Sequence, residues 1–148
     1  MTSQSAHTPT RPLGLASLWA LEGRWGLTRE VRHEDGRIDR LEGITDFLRS
    51  GPRLIQDETG SLTVESQVLE ARQRYVWEDA GGQLNVHFAD LRPFHTVMLN
   101  APEPTAVHLC PPDRYEVRYD FRSWPRWRAT WTVEGPRKSY VMTSNYRR

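Results

Sequence analysis

The sequence predicts an all-β protein folded as a single antiparallel up-and-down β-barrel of about eight to ten strands, with a short N-terminal helix. Three observations support this fold class. Apolar and polar residues alternate over many short segments, which is typical of strands with one buried face. Turn-forming residues separate these segments at short intervals. The 148 residues include six Trp, five Tyr and four Phe, which favour strands and supply buried area.

The N-terminal segment differs in composition from the remainder of the chain. Residues 1–12 are rich in Ser, Thr and Pro, so we predict a flexible tail there and a barrel domain over residues 13–148. Leu13–Leu21 is the one segment that favours a helix. The tail lacks the basic-then-apolar pattern of a secretion signal.

Period-two alternation predicts the strands in order along the chain. In the first of them, Trp25, Leu27, Arg29 and Val31 share one face. Gly- and Pro-containing turns follow several of the strands. The predicted strands are Arg24–His33, Ile38–Leu48, Leu54–Glu58, Ser61–Gln67, Ala71–Glu78, Gln83–Ala89, Phe94–Leu99, Thr105–Cys110, Tyr115–Phe121, Trp127–Val133 and Lys138–Tyr146.

Composition excludes several functional classes. The formal net charge is +1, and acidic residues interrupt the arginine-rich segment 114–128, so neither nucleic acid nor an anionic membrane is an expected partner. No apolar run approaches the ~20 residues of a membrane span. A single cysteine, Cys110, rules out an internal disulfide and favours the cytoplasm. We expect a monomer or a homodimer.

Hairpin geometry brings polar residues together in the C-terminal half. A turn at residues 100–103 places His95 opposite His108, and a turn at 111–112 places His108 opposite Tyr115 and Cys110 opposite Asp113. Side chains that face each other across a ladder lie about 5 Å apart at Cβ. Two histidines and a tyrosine are therefore expected to form a row across three strands.

The two following hairpins extend this row. A loop centred near residue 124 pairs Tyr115 with Val133, Val117 with Trp131 and Tyr119 with Ala129. A turn at residues 135–136 then pairs Val133 with Lys138 and Trp131 with Tyr140. The residues expected on the opposite, solvent-facing side are Glu116, Arg118, Asp120, Arg122, Arg128 and Arg137.

The chain resembles a bacterial family of unknown function within the lipocalin-like (calycin-like) small β-barrels. The residues that carry this resemblance are Leu21-Glu-Gly-Arg-Trp25 with Arg29, Arg74–Trp77, Val86–Phe88, Arg92–His95, His108–Cys110, Asp113–Tyr115, Tyr119–Phe121, Trp127, Trp131, Gly135–Tyr140 and Ser144–Tyr146. The resemblance implies a closed or nearly closed barrel with a short helix across one end. It implies no settled activity.

Each candidate residue has a structural interpretation as well as a functional one. His95 and His108 either bind a ligand, exchange protons or hold a metal with Cys110 or Asp113, or they are hydrogen-bonded core residues. Cys110 is either a nucleophile or a packing residue. Lys138, the only lysine in the chain, is either a cation for a ligand, a Schiff-base amine, or a rim residue.

Arg29 and the aromatic residues complete the candidate set. Arg29 either stacks on Trp25 as a cation–π latch, as calycin-like barrels often show, or binds an anion. The tyrosines and tryptophans are core residues whose polar atoms need partners, which a bound ligand or water supplies.

We therefore predict a cytoplasmic barrel that binds a small, partly aromatic or polar molecule. The expected ligand-binding residues are Arg29, Tyr75, Trp77, His95, His108, Tyr115, Tyr119, Trp131, Lys138 and Tyr140. The first alternative is an acid–base enzyme of the isomerase, cyclase or lyase type that uses His95, His108 and Tyr115. The second is a structural or interaction barrel with a filled core. No motif predicts a metal or cofactor, and a haem-holding barrel is a minor alternative prompted by the superfamily.

Overall fold

The computed structural model describes residues 14–148, and the tail predicted over residues 1–12 lies outside this range. The described chain forms ten antiparallel strands in one sheet. Their bounds are β1 Gly23–His33, β2 Ile38–Ser50, β3 Arg53–Val64, β4 Gln67–Asp79, β5 Gln83–Phe88, β6 Pro93–Met98, β7 Thr105–Cys110, β8 Asp113–Asp120, β9 Trp127–Glu134 and β10 Ser139–Arg147. The predicted all-β up-and-down barrel is confirmed.

The sheet curls into a nearly closed barrel with one seam. The strand order is β6-β5-β4-β3-β2-β1-β10-β9-β8-β7, so that β1 pairs with β10 while β6 and β7 form the two edges. No ladder joins β6 to β7, and the predicted pairing of His95 with His108 is therefore wrong.

Other hydrogen bonds explain why the segment between β6 and β7 is not a tight hairpin. The amide of Asn100 donates to the carbonyl of Leu15 at 2.8 Å. The amide of Phe121 donates to the carbonyl of Pro102, and that of Tyr119 to the carbonyl of Pro104, both at 2.9 Å. The connection is thus held by the N-terminal segment and by the end of β8.

The remaining predicted registers are largely correct. His108 faces Tyr115, Cys110 faces Asp113, and β8 pairs with β9 as expected. The last hairpin is offset by two residues, so that Tyr140 faces Val133 and Lys138 lies in the turn. Because side chains alternate with period two, an offset of two residues leaves each side chain on the predicted face.

The third strand is continuous where two short strands were predicted. Gly43 of β2 faces Gly60 of β3. A Cβ atom on Gly43 would lie 2.1 Å from the carbonyl oxygen of Thr59, and one on Gly60 would lie 2.7 Å from that of Glu42. Gly60 therefore permits a close approach of the β2 and β3 backbones and does not end strand β3.

The helical end of the barrel, defined by the 3₁₀ turn Leu18–Leu21, is shorter than predicted. Of the expected helix Leu13–Leu21, the described residues from Gly14 onward are helical only over these four. Leu18 and Leu21 are fully buried, and the indole Nε1 of Trp25 donates to the carbonyl of Leu21 at 2.9 Å. So short a segment has little intrinsic helical stability and takes the shape that burial of its leucines requires.

The cation–π latch on Trp25 involves a different arginine from the one predicted. The guanidinium carbon of Arg148 lies 3.9 Å from the ring centroid of Trp25. Its nitrogens donate to the carbonyls of Ala20 and Glu22. Arg29 points instead into the barrel, so the predicted Arg29–Trp25 latch is wrong.

Within residues 14–148, no helix has the length and hydropathy of a membrane-spanning helix. Nor does this part of the chain bring together three or more His, Cys, Asp or Glu side chains in an arrangement suited to a metal ion.

Candidate functional site

The barrel interior contains a partly open cavity of about 60 Å³. This volume accommodates a few water molecules and is far below the ~300 Å³ of a typical small-ligand pocket. Its lining combines aromatic rings with buried polar groups. The lining residues are Arg29, Gln56, Glu58, Tyr75, Trp77, Val86, Phe94, His95, Tyr119, Trp127, Ala129, Trp131, Met142 and Tyr146.

A buried ion pair occupies one side of the cavity. Arg29 Nη2 donates to Glu58 Oε1 at 2.9 Å, and the two side chains are 15% and 6% exposed. Arg29 Nε also donates to Ser144 Oγ at 2.7 Å. Burial opposes the charge on Arg29, but Tyr146 and Glu58 outweigh that effect and raise its pKa above its ordinary value. The guanidinium is therefore a permanent cation that Glu58 neutralises.

Neighbouring polar groups complete the partners of Glu58. Its Oε2 accepts hydrogen bonds from Tyr146 Oη at 3.1 Å and from Gln56 Nε2 at 3.0 Å. Gln56 Oε1 in turn accepts from Trp77 Nε1 at 2.8 Å. Burial and the nearby Glu58 carboxylate raise the pKa of Tyr146, so its hydroxyl remains a donor. The network rigidifies this side of the barrel because each of these groups is fixed by the next.

His95 and Tyr119 form the second polar pair. His95 Nε2 lies 2.7 Å from the hydroxyl of Tyr119, and both side chains are buried. Burial, with a smaller contribution from His108, lowers the pKa of His95 to about 3. Burial also raises the pKa of Tyr119 well above its ordinary value. Both groups are therefore neutral near pH 7, which makes them suitable for hydrogen bonding and poor proton carriers.

Two buried polar atoms on the cavity wall lack hydrogen-bond partners within residues 14–148. They are Nδ1 of His95 and Nε1 of Trp127. Each such atom costs about 1–3 kcal/mol if it stays unpaired. Because both residues line the same cavity, one polar ligand or a few water molecules there would provide hydrogen-bond partners for the two nitrogen atoms.

Phe94 separates the two histidines that the sequence placed side by side. Its ring centroid lies 4.5 Å from that of His95 and 5.3 Å from that of His108. The register between β5 and β6 shifts at Val86/His87, so that Val86 faces His95 while His87 faces Pro93. This bulge leaves Phe94 without a partner in the ladder and lets it turn inward beside His95.

The distal end of the barrel, opposite the helical end, carries a separate group of residues. His108 is half-buried and contacts Phe88 and Tyr115. Lys138 Nζ donates to Tyr115 Oη at 2.9 Å and lies 3.6 Å from Asp113 Oδ2. These contacts raise the pKa of the exposed Lys138, Tyr115 contributing most. Lys138 is thus a charged rim residue, and a Schiff-base role, which needs a neutral amine, is not supported.

The structure divides the predicted site residues into two groups. The cavity group is Arg29, Tyr75, Trp77, His95, Tyr119 and Trp131. The distal group is His108, Tyr115, Lys138 and Tyr140. Cys110, the predicted alternative nucleophile or packing residue, is exposed on the edge strand β7.

Sequence reasoning missed several cavity residues. Gln56 and Glu58 share the inward face of β3 with Leu54, and this alternation is a usable signal. The inner face of a strand is nevertheless expected to be apolar, so polar residues at these positions were not recognised. Phe94 was missed because a bulge is not visible in alternation alone.

Comparison with solved structures supports the fold. An S-type phycobiliprotein lyase, CPES from Guillardia theta, superposes with a TM-score of 0.62 at 11% identity, covering 87% of each chain. A protein of unknown function from the DUF3598 family of Nostoc punctiforme PCC 73102 gives a TM-score of 0.59 at 13% identity, covering 95% of this chain and 51% of that one. At these identities the likeness shows a shared barrel fold.

Sequence comparison identifies the family. No curated protein matches the chain. The model of one protein family, described as a family of unknown function (DUF6314), matches residues 21–148, which comprise the whole barrel apart from the first buried leucines. The chain therefore belongs to the DUF6314 family of unknown function.

Proposed function

We propose that this barrel binds a small, partly aromatic and partly polar molecule in the interior cavity between the Arg29–Glu58 pair and His95, and that the cavity widens from about 60 Å³ to admit it. The observation that carries the proposal is the pair of buried atoms without partners within residues 14–148, His95 Nδ1 and Trp127 Nε1, whose residues line the same cavity. A core that served only to hold the barrel together would be more stable with these atoms paired or replaced by apolar groups.

The composition of the cavity wall supports a ligand of mixed character. Trp77, Trp131 and Tyr75 present rings to the cavity, while Gln56 and Glu58 present oxygen and nitrogen atoms. Binding sites for small molecules combine mostly apolar walls with a few fixed polar groups in this way. The likeness in fold to a phycobiliprotein lyase is consistent with a ligand-binding barrel, although it does not indicate which ligand this barrel binds.

The geometry favours binding over acid–base catalysis. The three residues of the catalytic alternative do not converge, because Phe94 lies between His95 and His108 and Lys138 engages the hydroxyl of Tyr115. His95, whose pKa is lowered to about 3 by burial, does not take up a proton near pH 7. A binding role requires only that it remain neutral.

The proposal is tested by NMR of the full-length protein with a set of small neutral and charged fragments. Trp77 and Trp127 line the cavity, whereas Trp19 and Trp124 lie elsewhere. Fragments that bind inside should shift the indole N–H signals of the first two and leave those of the last two unchanged. Shifts confined to Trp19 and Trp124, or no saturable shift with any fragment, would contradict binding in the cavity.

Two matched variants sharpen the test. Trp131→Leu removes a ring that lines the cavity, whereas Trp124→Leu removes one that packs on Trp25 at the helical end. Native mass spectrometry of the purified proteins should show any co-purified ligand lost from the first variant and kept by the second. Equal fragment affinity and ligand retention in both variants would place the ligand elsewhere.

A further inference from the structure

We infer that the ring of Phe94 fills the place of the ligand's own ring, and that the ligand class is a single flat, uncharged ring carrying one hydrogen-bonding group at its edge. This inference rests on the proposed function and specifies the chemistry of the molecule bound. The slot that Phe94 occupies is lined by the rings of Trp131, Phe88, Tyr75, His95 and His108.

The walls of the slot are rings parallel to Phe94. Trp131 lies at 5.0 Å with an angle of 7° between the planes, and Phe88 lies at 4.4 Å with an angle of 22°. Tyr75 adds a third ring at 5.6 Å and 22°. The spacings to Trp131 and Tyr75 fall within the range of offset aromatic stacking, and the spacing to Phe88 lies at its lower limit. The walls thus suit a planar group, and a puckered or branched one would lose the stacking contacts.

The edges of the slot are two imidazoles. His95 and His108 stand at 90° and 87° to the plane of Phe94. Phe94 offers them only C–H groups and no hydrogen bond, and Nδ1 of His95 has no partner within residues 14–148. A ring of the same size with a hydroxyl group, which can both donate and accept a hydrogen bond, would satisfy this atom while keeping the stacking on Trp131.

The charge of the surroundings determines that of the ligand. Arg29 and Glu58 neutralise each other, and His95 is itself neutral. A charged ring in the slot would therefore be buried without a counter-charge, which is strongly unfavourable. An uncharged ring carries no such cost.

Phe94 is well placed to leave the slot. It lies at the bulge of β6, the strand on one side of the seam, and has no partner in the ladder with β5. Its displacement therefore breaks no ladder hydrogen bond, and the ring is only half-buried. The cavity of about 60 Å³ and the space vacated by the ring then form one site.

The first experiment measures three probes of similar size by calorimetric titration. Phenol is flat with a hydroxyl, benzene is flat without one, and cyclohexanol has the hydroxyl but is not flat. Phe94→Ala should bind phenol at least about tenfold more tightly than the wild type does, because the slot is no longer occupied. It should also prefer phenol to both other probes.

A double variant and a matched control test whether His95 causes the preference for phenol over benzene. His95→Leu added to Phe94→Ala should remove the preference for phenol over benzene, since the hydroxyl loses its partner. Leu84→Ala opens space in the apolar core at the helical end, and it should not prefer phenol to benzene. Equal affinity of Phe94→Ala for phenol and cyclohexanol, or a similar phenol preference in Leu84→Ala, would overturn the inference.

A measurement on the wild type avoids dependence on the folding of the variants. At saturating phenol, NMR should show nuclear Overhauser contacts between phenol and the Trp131 ring and loss of those between Phe94 and Trp131. Persistence of the Phe94–Trp131 contact in the phenol-bound protein would overturn the inference. If fragments still shift the Trp77 and Trp127 signals in that case, the proposed function stands without it.

Discussion

His95 of β6 and Tyr119 of β8 are joined by a hydrogen bond of 2.7 Å across the inside of the seam. Because β6 and β7 share no ladder, this side-chain contact links the two ends of the sheet. The same pair borders the candidate site, so closure of the barrel and organisation of the cavity depend on common residues.

Tyr119→Phe should lower the free energy of unfolding by about 1–3 kcal/mol, because it leaves the buried Nε2 of His95 without a partner. Urea denaturation at pH 7.5 measures the change. Tyr140→Phe is the matched control: Tyr140 is half-buried at the distal end and should tolerate the loss of its hydroxyl within about 0.5 kcal/mol. Equal effects of the two substitutions would show that the His95–Tyr119 bond does not hold the seam.

Removing one member of the buried ion pair should be costly. Arg29→Met leaves Glu58 buried without its counter-charge and should lower the free energy of unfolding by about 3–5 kcal/mol. Arg29→Met combined with Glu58→Leu should recover part of that loss, since no charge then remains unpaired while Tyr146 and Gln56 lose their acceptor. Urea denaturation of the single and double variants is the measurement.

A surface pair between β3 and β4 provides the control for this prediction. Asp57, which precedes Glu58 on β3, lies 2.6 Å from Arg74 of β4 on the outer face, and Arg74 is 58% exposed. Arg74→Met should therefore change the free energy of unfolding by less than about 1 kcal/mol. A loss as large as that of Arg29→Met would argue against burial as the cause.

Stability should fall with pH below neutrality because of His95. Burial lowers its folded-state pKa to about 3, whereas the unfolded-state value is about 6.5. Between these values the unfolded chain binds the proton and the folded chain does not, so the free energy of unfolding decreases as the pH falls. The expected contribution is a loss of about 2 kcal/mol between pH 7.5 and pH 5.

His95→Gln isolates this effect. The variant carries no titratable group at the position, so its free energy of unfolding should depend less steeply on pH between 7.5 and 5 than that of the wild type. Urea denaturation at several pH values gives both curves. Parallel curves would contradict a buried, neutral His95.

Arg148→Ala should weaken the helical end. It removes the stacking on Trp25 and the hydrogen bonds to the carbonyls of Ala20 and Glu22. We expect a loss of about 1–2 kcal/mol in the free energy of unfolding. Arg147→Ala, at an exposed neighbouring position, should stay within about 0.5 kcal/mol. Arg148→Lys should restore only part of the loss, because a single ammonium cannot reproduce the planar stacking and the paired donors.

Particular elements show how much of this molecule follows from its sequence. Thr105–Cys110 is a strand with the predicted bounds, and its pairing of His108 with Tyr115 is as predicted. This hairpin is local, so alternation and the two prolines at residues 111–112 are sufficient to define it. The absence of a ladder between β6 and β7 could not be predicted in the same way. The segment that connects these strands forms hydrogen bonds with Leu15 and Phe121, and Leu15 is distant in sequence.

The candidate site shows the same division. Alternation correctly placed Arg29, Trp131 and Tyr119 on the inner face, since one side of each strand had to be apolar. It did not identify Glu58 as the partner of Arg29, because β1 and β3 are not neighbours in the sheet and the two side chains meet only when the barrel curls.

The fold class, the approximate bounds of most strands and the face on which most aromatic side chains lie could be predicted from local alternation and turns. Which inward residues meet could not, because it depends on packing between distant parts of the chain. The bulge at Phe94 separated His95 from His108, and the curvature of the sheet brought Arg29 to Glu58. Both outcomes depend on the closure of the barrel, to which contacts between residues far apart in the chain contribute together.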